Sequence, residues 1–404
     1  MTERALLVSL FLTGSTLCFA QTGDNDVTWT KITLPGPGRC LDGTFGAYYL
    51  RPPLYPVENP TSTIVIFNEG GGWCSTDGDC YERSLMSLGS STTYPNTILN
   101  SAWPWEGIAL FNSTYFANAT IAYAKYCDGG SWASFNNTPT FYNNTRLYYL
   151  GRPMLDAMFA DLMPRGLATA QSVLYTGCSA GGLTTYMHID YLASLLSPGT
   201  VLLGLADAMF AFHVPAYPGP GHITYLEGML NHTFFAMNAT ASVNQACLAH
   251  YGKGKGNECF YGGQVAPFVQ TPMLVVNSKY DTWQKASIMG IQCEPVVSKT
   301  GQITLCPPSM QDEETFWKAY GDTMMGHAST LPLRHGVHFT NCPTHCQSSA
   351  IRLWEDPSTG TEATVGQAVD LWWTDALVHG RDPNWVAPRH IALDSDECIK
   401  GPLA

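Results

Sequence analysis

The stretch Ser172–His188, SVLYTGCSAGGLTTYMH, constrains the fold of this chain more than any other. It opens on an apolar run, Val173-Leu-Tyr175, of the kind that fills a buried strand. It then turns through Gly177-Cys-Ser-Ala-Gly181 and continues into residues that can form a helix. Glycines two before and two after a serine let the backbone reverse tightly without Cβ clashes. Between a strand and a helix, that turn lifts the Ser179 hydroxyl out at the strand's carboxyl end. The helix that follows aims backbone N–H groups at the space beside it, where negative charge could be held.

Other strands can be placed around this one. Ser62–Phe67, a β-branched run, and Ala119–Tyr123, Val201–Leu205, Met273–Asn277 and Gly336–Thr340 are short stretches of strand length. The segment 147–167 carries Leu150, Leu155, Met158, Phe159 and Leu162 at helical spacing, with Gly166 as its stop. Residues 21–40 are polar and rich in Pro and Gly, which predicts an extended arm. Strands alternating with helical stretches predict an α/β fold: one α/β-hydrolase-like domain with a central, mostly parallel sheet flanked by helices and braced by disulfides. No linker or internal repeat divides it.

The ends of these strands carry reactive groups. Ser62–Phe67 runs into Asn68-Glu-Gly-Gly-Gly-Trp-Cys74, a glycine loop that exposes backbone N–H groups, as an oxyanion-binding loop requires. A serine hydroxyl needs a histidine to accept its proton, and the histidine needs a carboxylate to hold its tautomer. Asp281 follows the Met273–Asn277 strand, and His345 follows the Gly336–Thr340 strand. Competitors exist on both counts. Asp207 also ends a strand, though its loop is expected to line the pocket. His327, His335, His338, His379 and His390 also lie beyond Asp281.

The first twenty residues read as a secretory signal: Arg4, an apolar run over Ala5–Leu12, and small residues before a cleavage point after Ala20. The remainder, 21–404, is expected to be the folded domain, secreted and without a membrane span. Twelve cysteines then remain, together with six Asn-x-Ser/Thr sequons at Asn112, Asn118, Asn136, Asn143, Asn231 and Asn238. Both features suit an oxidising, glycosylating route. The four sequons from Asn112 to Asn143 predict a surface segment away from the site. Cysteine spacing does not suggest a metal site, and Cys342-Pro-Thr-His-Cys346 predicts a disulfide loop around a positioned histidine. A formal net charge of −12 argues against nucleic acid as a partner.

Six stretches together resemble the pectin acetylesterase family, which includes the Notum carboxylesterases. They are Asn68-Glu-Gly-Gly-Gly-Trp-Cys74, Tyr126-Cys-Asp-Gly129, Gly177-Cys-Ser-Ala-Gly-Gly182, Asp207-Ala208, Asn277-Ser-Lys-Tyr-Asp-Thr-Trp-Gln284 and Thr344-His-Cys-Gln347. They run in family order across about 36–375. The resemblance implies a secreted serine esterase with Ser179, Asp281 and His345 as its triad. It implies an oxyanion hole from the N–H groups of Gly72, Trp73 and Ala180, disulfides Cys40–Cys127 and Cys74–Cys80, and no metal or cofactor. It also implies that Cys178 is buried and unpaired. The expected substrate is an acetylated cell-wall polysaccharide such as pectin. The alternatives are a Notum-like enzyme that removes a fatty acyl group from a protein, and an inactive glycan-binding scaffold. Trp73, Trp132 and Trp283 lie near site motifs and are candidates for stacking on sugar. Phe212-His213 and Pro343 depart from the family pattern.

Overall fold

The computed structural model describes residues 26–55, 62–218, 225–349, 351–355, 363–382, 384–391 and 398. The signal-peptide reading of residues 1–20 lies outside them. The strands are β1 Thr28–Thr33, β2 Ala47–Arg51, β3 Thr63–Asn68, β4 Thr97–Leu99, β5 Thr120–Ala124, β6 Asn136–Tyr142, β7 Thr145–Tyr149 and β8 Ser172–Cys178. They continue with β9 Val201–Asp207, β10 Met273–Ser278, β11 Val296–Val297, β12 Ile303–Thr304, β13 Gly336–Thr340 and β14 Arg389–Ile391. Two small hairpins, β6–β7 and β11–β12, stand apart from a ten-stranded sheet ordered β14-β13-β10-β9-β8-β3-β5-β2-β1-β4.

From β14 through β5 every neighbouring pair is parallel; β2, β1 and β4 complete the sheet antiparallel. The elbow strand β8 lies between β3 and β9, and all seven of its residues are buried. Strands enclosed in this way read as continuous apolar runs, which is why Val173-Leu-Tyr175 was visible in the sequence. Strand order reverses direction between β3 and β8. Such a switch point opens a crevice at the carboxyl ends of the strands. The helices Gly151–Leu162, Ala180–Leu195 and Val365–His379 bury Leu155, Met158, Phe159, Leu183, Ile189, Val369 and Trp372. No described helix is long and apolar enough to cross a membrane.

Three expectations are corrected. Within 21–40, Thr28–Thr33 is a strand paired on both sides, to β2 and β4, with Trp29 buried against Trp103. Within 147–167, Leu147–Tyr149 belongs to β7, and the helix starts only at Gly151. Leu150 joins the two, so the apolar spacing runs on unbroken across the boundary. Third, no cysteine among the described residues is free. The twelve cysteines form six disulfides, Cys40–Cys127, Cys74–Cys80, Cys178–Cys346, Cys247–Cys259, Cys293–Cys306 and Cys342–Cys398. Cys178 is therefore paired, and Cys342 and Cys346 do not bond to each other.

Candidate active site

Ser179 sits between the end of β8 and the helix Ala180–Leu195, at φ 59° and ψ −123°. A non-glycine residue with positive φ is strained, and here its surroundings enforce it. The Ser179 N–H donates to the Asp207 carbonyl (3.0 Å), and the Ser179 carbonyl accepts from Leu183 (2.9 Å). The turn is also pressed against the end of β3. A Cβ at Gly181 would lie 1.9 Å from the Asn68 carbonyl oxygen, so only glycine fits there.

Two further strand ends bring in Asp281 and His345. Asp281 caps the helix Thr282–Ser287, accepting at Oδ1 from the N–H groups of Trp283 and Gln284 (2.9 Å each). His345 Nδ1 lies 2.8 Å from Asp281 Oδ2 and 3.0 Å from Oδ1. An ionised carboxylate only accepts, so Nδ1 carries the proton and Nε2 keeps its lone pair. Nε2 is buried and has no hydrogen-bond partner. Burial disfavours the imidazolium, but the attraction of Asp281, reinforced by Asp207 and Glu106, outweighs it and raises the His345 pKa above 6.5. The ring also stacks on Trp283, 5.6 Å between centroids.

The loops of Ser179 and His345 are bolted together. Cys178 and Cys346 are cross-linked, and a ring nitrogen of His345 lies within 4.8 Å of both sulfurs. That trio has the make-up of a metal site, but its sulfurs are bonded to each other and offer no thiolate ligand.

Opposite Ser179 lies the glycine loop after β3. Among the described residues, the N–H groups of Gly72 and Trp73 donate to no protein acceptor. Ala180 opens its helix, where N–H groups have no partner in the preceding turn. Ser131, which lies in none of the motifs, ties these pieces together. Its Oγ accepts from Trp73 Nε1 (2.8 Å) and donates to the Ala180 carbonyl (2.9 Å). Its N–H donates to Tyr126 Oη (3.1 Å), whose hydroxyl donates to the Gly72 carbonyl (2.7 Å). Beneath the loop, buried Glu69 pairs with Lys125 and accepts from the Tyr126 N–H (2.7 Å). The stretch around Ser131 is thus part of the site, although Asn112 and Asn143 at its ends are exposed.

Glu106 lies outside every motif yet reaches the same place. Its Oε2 accepts from the Gly70 N–H (3.0 Å), and its Oε1 lies 4.0 Å from Cys346 Sγ. Burial pushes its carboxyl up to about 7. The Asp207 carboxylate accepts from the Ser348 N–H (2.7 Å) rather than reaching His345, and burial raises it to about 6. Of the competing histidines, His335 is buried against the Val269 carbonyl, and His338 is buried inside β13. Of the three tryptophans, Trp73 and Trp132 are 3 % and 2 % exposed; Trp283 alone is partly open. His213 stands beside Glu258 (2.9 Å) and against Tyr261.

An imidazole oriented by a carboxylate with its Nε2 buried, a strained serine whose neighbour Cys178 is bonded to the residue after that imidazole, and a glycine loop packed on the serine with free N–H groups are a set that acyl transfer through a serine can use. Comparison with known proteins points the same way. The sequence profile of the pectinacetylesterase family matches residues 21–387. Pectin acetylesterase 5 of Arabidopsis thaliana is 29 % identical over 362 residues, 83 % of this chain and 77 % of that protein. The human palmitoleoyl-protein carboxylesterase NOTUM is 25 % identical, over 66 % of this chain and 53 % of its own length. A crystal structure of the Wnt deacylase Notum from Drosophila superposes with a TM-score of 0.70 at 17 % identity. It covers 87 % of this chain and 94 % of that one, and shows the same fold.

Proposed function

The chain belongs to the pectinacetylesterase family and is a carboxylic-ester hydrolase, and we propose that it is a secreted enzyme that removes acetyl groups from a polysaccharide such as pectin through Ser179, Asp281 and His345. The observation that carries this reading is His345 itself: Nδ1 is held by Asp281, and Nε2 is buried and unpartnered on the other side of the ring. Complete pairing of the twelve cysteines supports an oxidising compartment. The longer and closer match to a plant acetylesterase than to the palmitoleoyl-protein carboxylesterases supports acetyl as the acyl group.

In this mechanism Ser179 Oγ attacks the acetyl carbonyl while its proton passes to His345 Nε2. The oxyanion is received by the N–H groups of Gly72, Trp73 and Ala180. The C–O bond to the sugar breaks as His345 returns the proton to the departing alkoxide. Water then gives a proton to His345 and attacks the acetyl-serine; the bond to Ser179 Oγ breaks as His345 passes that proton to it, which restores both residues and releases acetic acid, ionised to acetate in solution.

The test is hydrolysis of p-nitrophenyl esters of increasing acyl length by wild type and Ser179→Ala, followed by acetylated pectin. Serine-dependent activity highest on acetyl supports the proposal. A maximum at eight or more carbons favours a lipid deacylase. Absence of serine-dependent turnover in the folded protein leaves the binding-scaffold reading.

A further inference from the structure

Asp207 touches both halves of the site with different atoms. Its carbonyl oxygen accepts the Ser179 N–H at 3.0 Å, and its carboxylate Oδ2 accepts the Ser348 N–H at 2.7 Å. Ser348 lies in the 3₁₀ turn Gln347–Ser349, which closes the His345 loop. Asp207 is also the register partner of Cys178 across β8 and β9. The His345 loop is therefore fastened at two adjacent points: covalently to β8 through Cys178–Cys346, and by a charge-assisted hydrogen bond to β9 through Asp207. The same turn is also held by the Thr340 hydroxyl donating to Gln347 Oε1 (2.9 Å) and the Gly107 N–H donating to Ser349 Oγ (3.1 Å); the Asp207 tie is the one that fixes it to the strand beside the Ser179 turn.

We propose that Asp207 is a positioning residue for the ester hydrolysis, holding the His345 loop against the Ser179 turn through the Ser348 N–H. The inference rests on the Ser179–Asp281–His345 reading above. It gives Asp207 a role distinct from that of Asp281, which makes the hydrogen bond to the imidazole. Asp207 is fully buried, and its carboxylate faces the 347–348 turn, where the Ser348 N–H makes the well-formed bond and the Ser348 hydroxyl and Gln347 N–H also face it. What the side chain must supply there is an acceptor oxygen, which an asparagine also has.

The experiment compares Asp207→Ala, Asp207→Asn and Ser348→Pro in the full-length secreted protein on p-nitrophenyl acetate. Ser179→Ala tests the underlying reading separately. Asp207→Ala is expected to lower kcat about tenfold to a hundredfold, the scale for a misplaced catalytic group, with KM within about twofold. Asp207→Asn is expected to recover most of that loss. Ser348→Pro, which removes the donor, is expected to match Asp207→Ala, and the double variant should be no worse than either single one. Should Asp207→Ala fail to be secreted, Asp207→Asn and Ser348→Pro still decide the matter. Wild-type kcat in Ser348→Pro, additive losses in the double variant, or an Asp207→Asn as impaired as Asp281→Asn would each overturn the proposal. If Ser179→Ala retains full activity, the catalytic reading fails instead.

Discussion

Cys178 and Cys346 form a disulfide that joins the residue before Ser179 to the residue after His345, across 168 positions of sequence. Serine and histidine loops thus share a covalent support one residue from each side chain. Replacing both cysteines with alanine should destabilise the protein by about 2–4 kcal/mol, the usual range for a cross-link closing a long loop. It should also lower kcat about tenfold or more, because the loops then shift relative to each other. Urea unfolding and p-nitrophenyl acetate turnover measure the two effects. A variant with lower stability but full kcat would show that the bond serves the fold alone.

Asp281→Asn should cost about 10³–10⁴-fold in kcat. The pH profile carries the sharper sign. The Asp281 carboxylate is the main influence raising His345, so the acid limb of kcat/KM in wild type should lie above pH 6.5. Loss of that charge should move the limb to lower pH in the variant. An unmoved limb would mean that another group is titrating.

Ser131→Ala removes the hydroxyl shared by Trp73 Nε1 and the Ala180 carbonyl. Trp73 Nε1 is then left buried and unpaired, while the Ala180 carbonyl keeps the Thr184 hydroxyl (2.8 Å), at a cost of about 1–3 kcal/mol in stability. Because they border the Gly72, Trp73 and Ala180 N–H groups, kcat should fall with little change in KM. Steady-state kinetics at two ester chain lengths would reveal a rise in KM, the outcome opposed to this role.

Glu106→Gln keeps an acceptor for the Gly70 N–H but removes a carboxyl whose pKa burial raises from 4.5 to about 7. For an acid raised on folding, the cost of ionisation is absent below the unfolded value and complete above the folded one. Wild type should therefore lose stability between about pH 4.5 and 7 relative to the variant, by about 1–3 kcal/mol. Paired unfolding curves at pH 4.5 and 8 test this; parallel behaviour of the two proteins contradicts it.

Trp283 is the one partly open tryptophan of the three candidates, and it stacks on His345. Trp283→Ala should raise KM for acetylated pectin by up to about tenfold, the scale of one aromatic contact. Trp283→Phe should raise it less, and p-nitrophenyl acetate should respond less than the polymer. Equal effects on both substrates would assign the ring to holding His345 rather than sugar.

Much of this arrangement was legible because its causes are local. The Ser179 turn announces itself through glycines, and Gly181 is required by a 1.9 Å approach that no side chain survives. Asp281 and His345 could be placed because each follows a clear apolar strand. The family resemblance implies an unpaired Cys178, and no local feature corrects it: its partner lies 168 residues away, and pairing over that span depends on sheet order. Glu106 lies in no motif; only the approach of its segment to Gly70 and Cys346 makes it part of the site. Leu147–Tyr149 reads as helix because one apolar period runs through strand and helix alike.

The order of strands in the sheet governs when a chain of this kind acquires its chemistry. β3 and β8 stand side by side in the middle, so the glycine loop and the serine come from the first half of the chain. Asp281 and His345 follow β10 and β13, further out and later in synthesis. On the Ser179–Asp281–His345 reading, a polypeptide that stops before β13 has the glycine loop and the serine but lacks the proposed base, so serine-dependent esterase activity would require synthesis to run at least as far as His345.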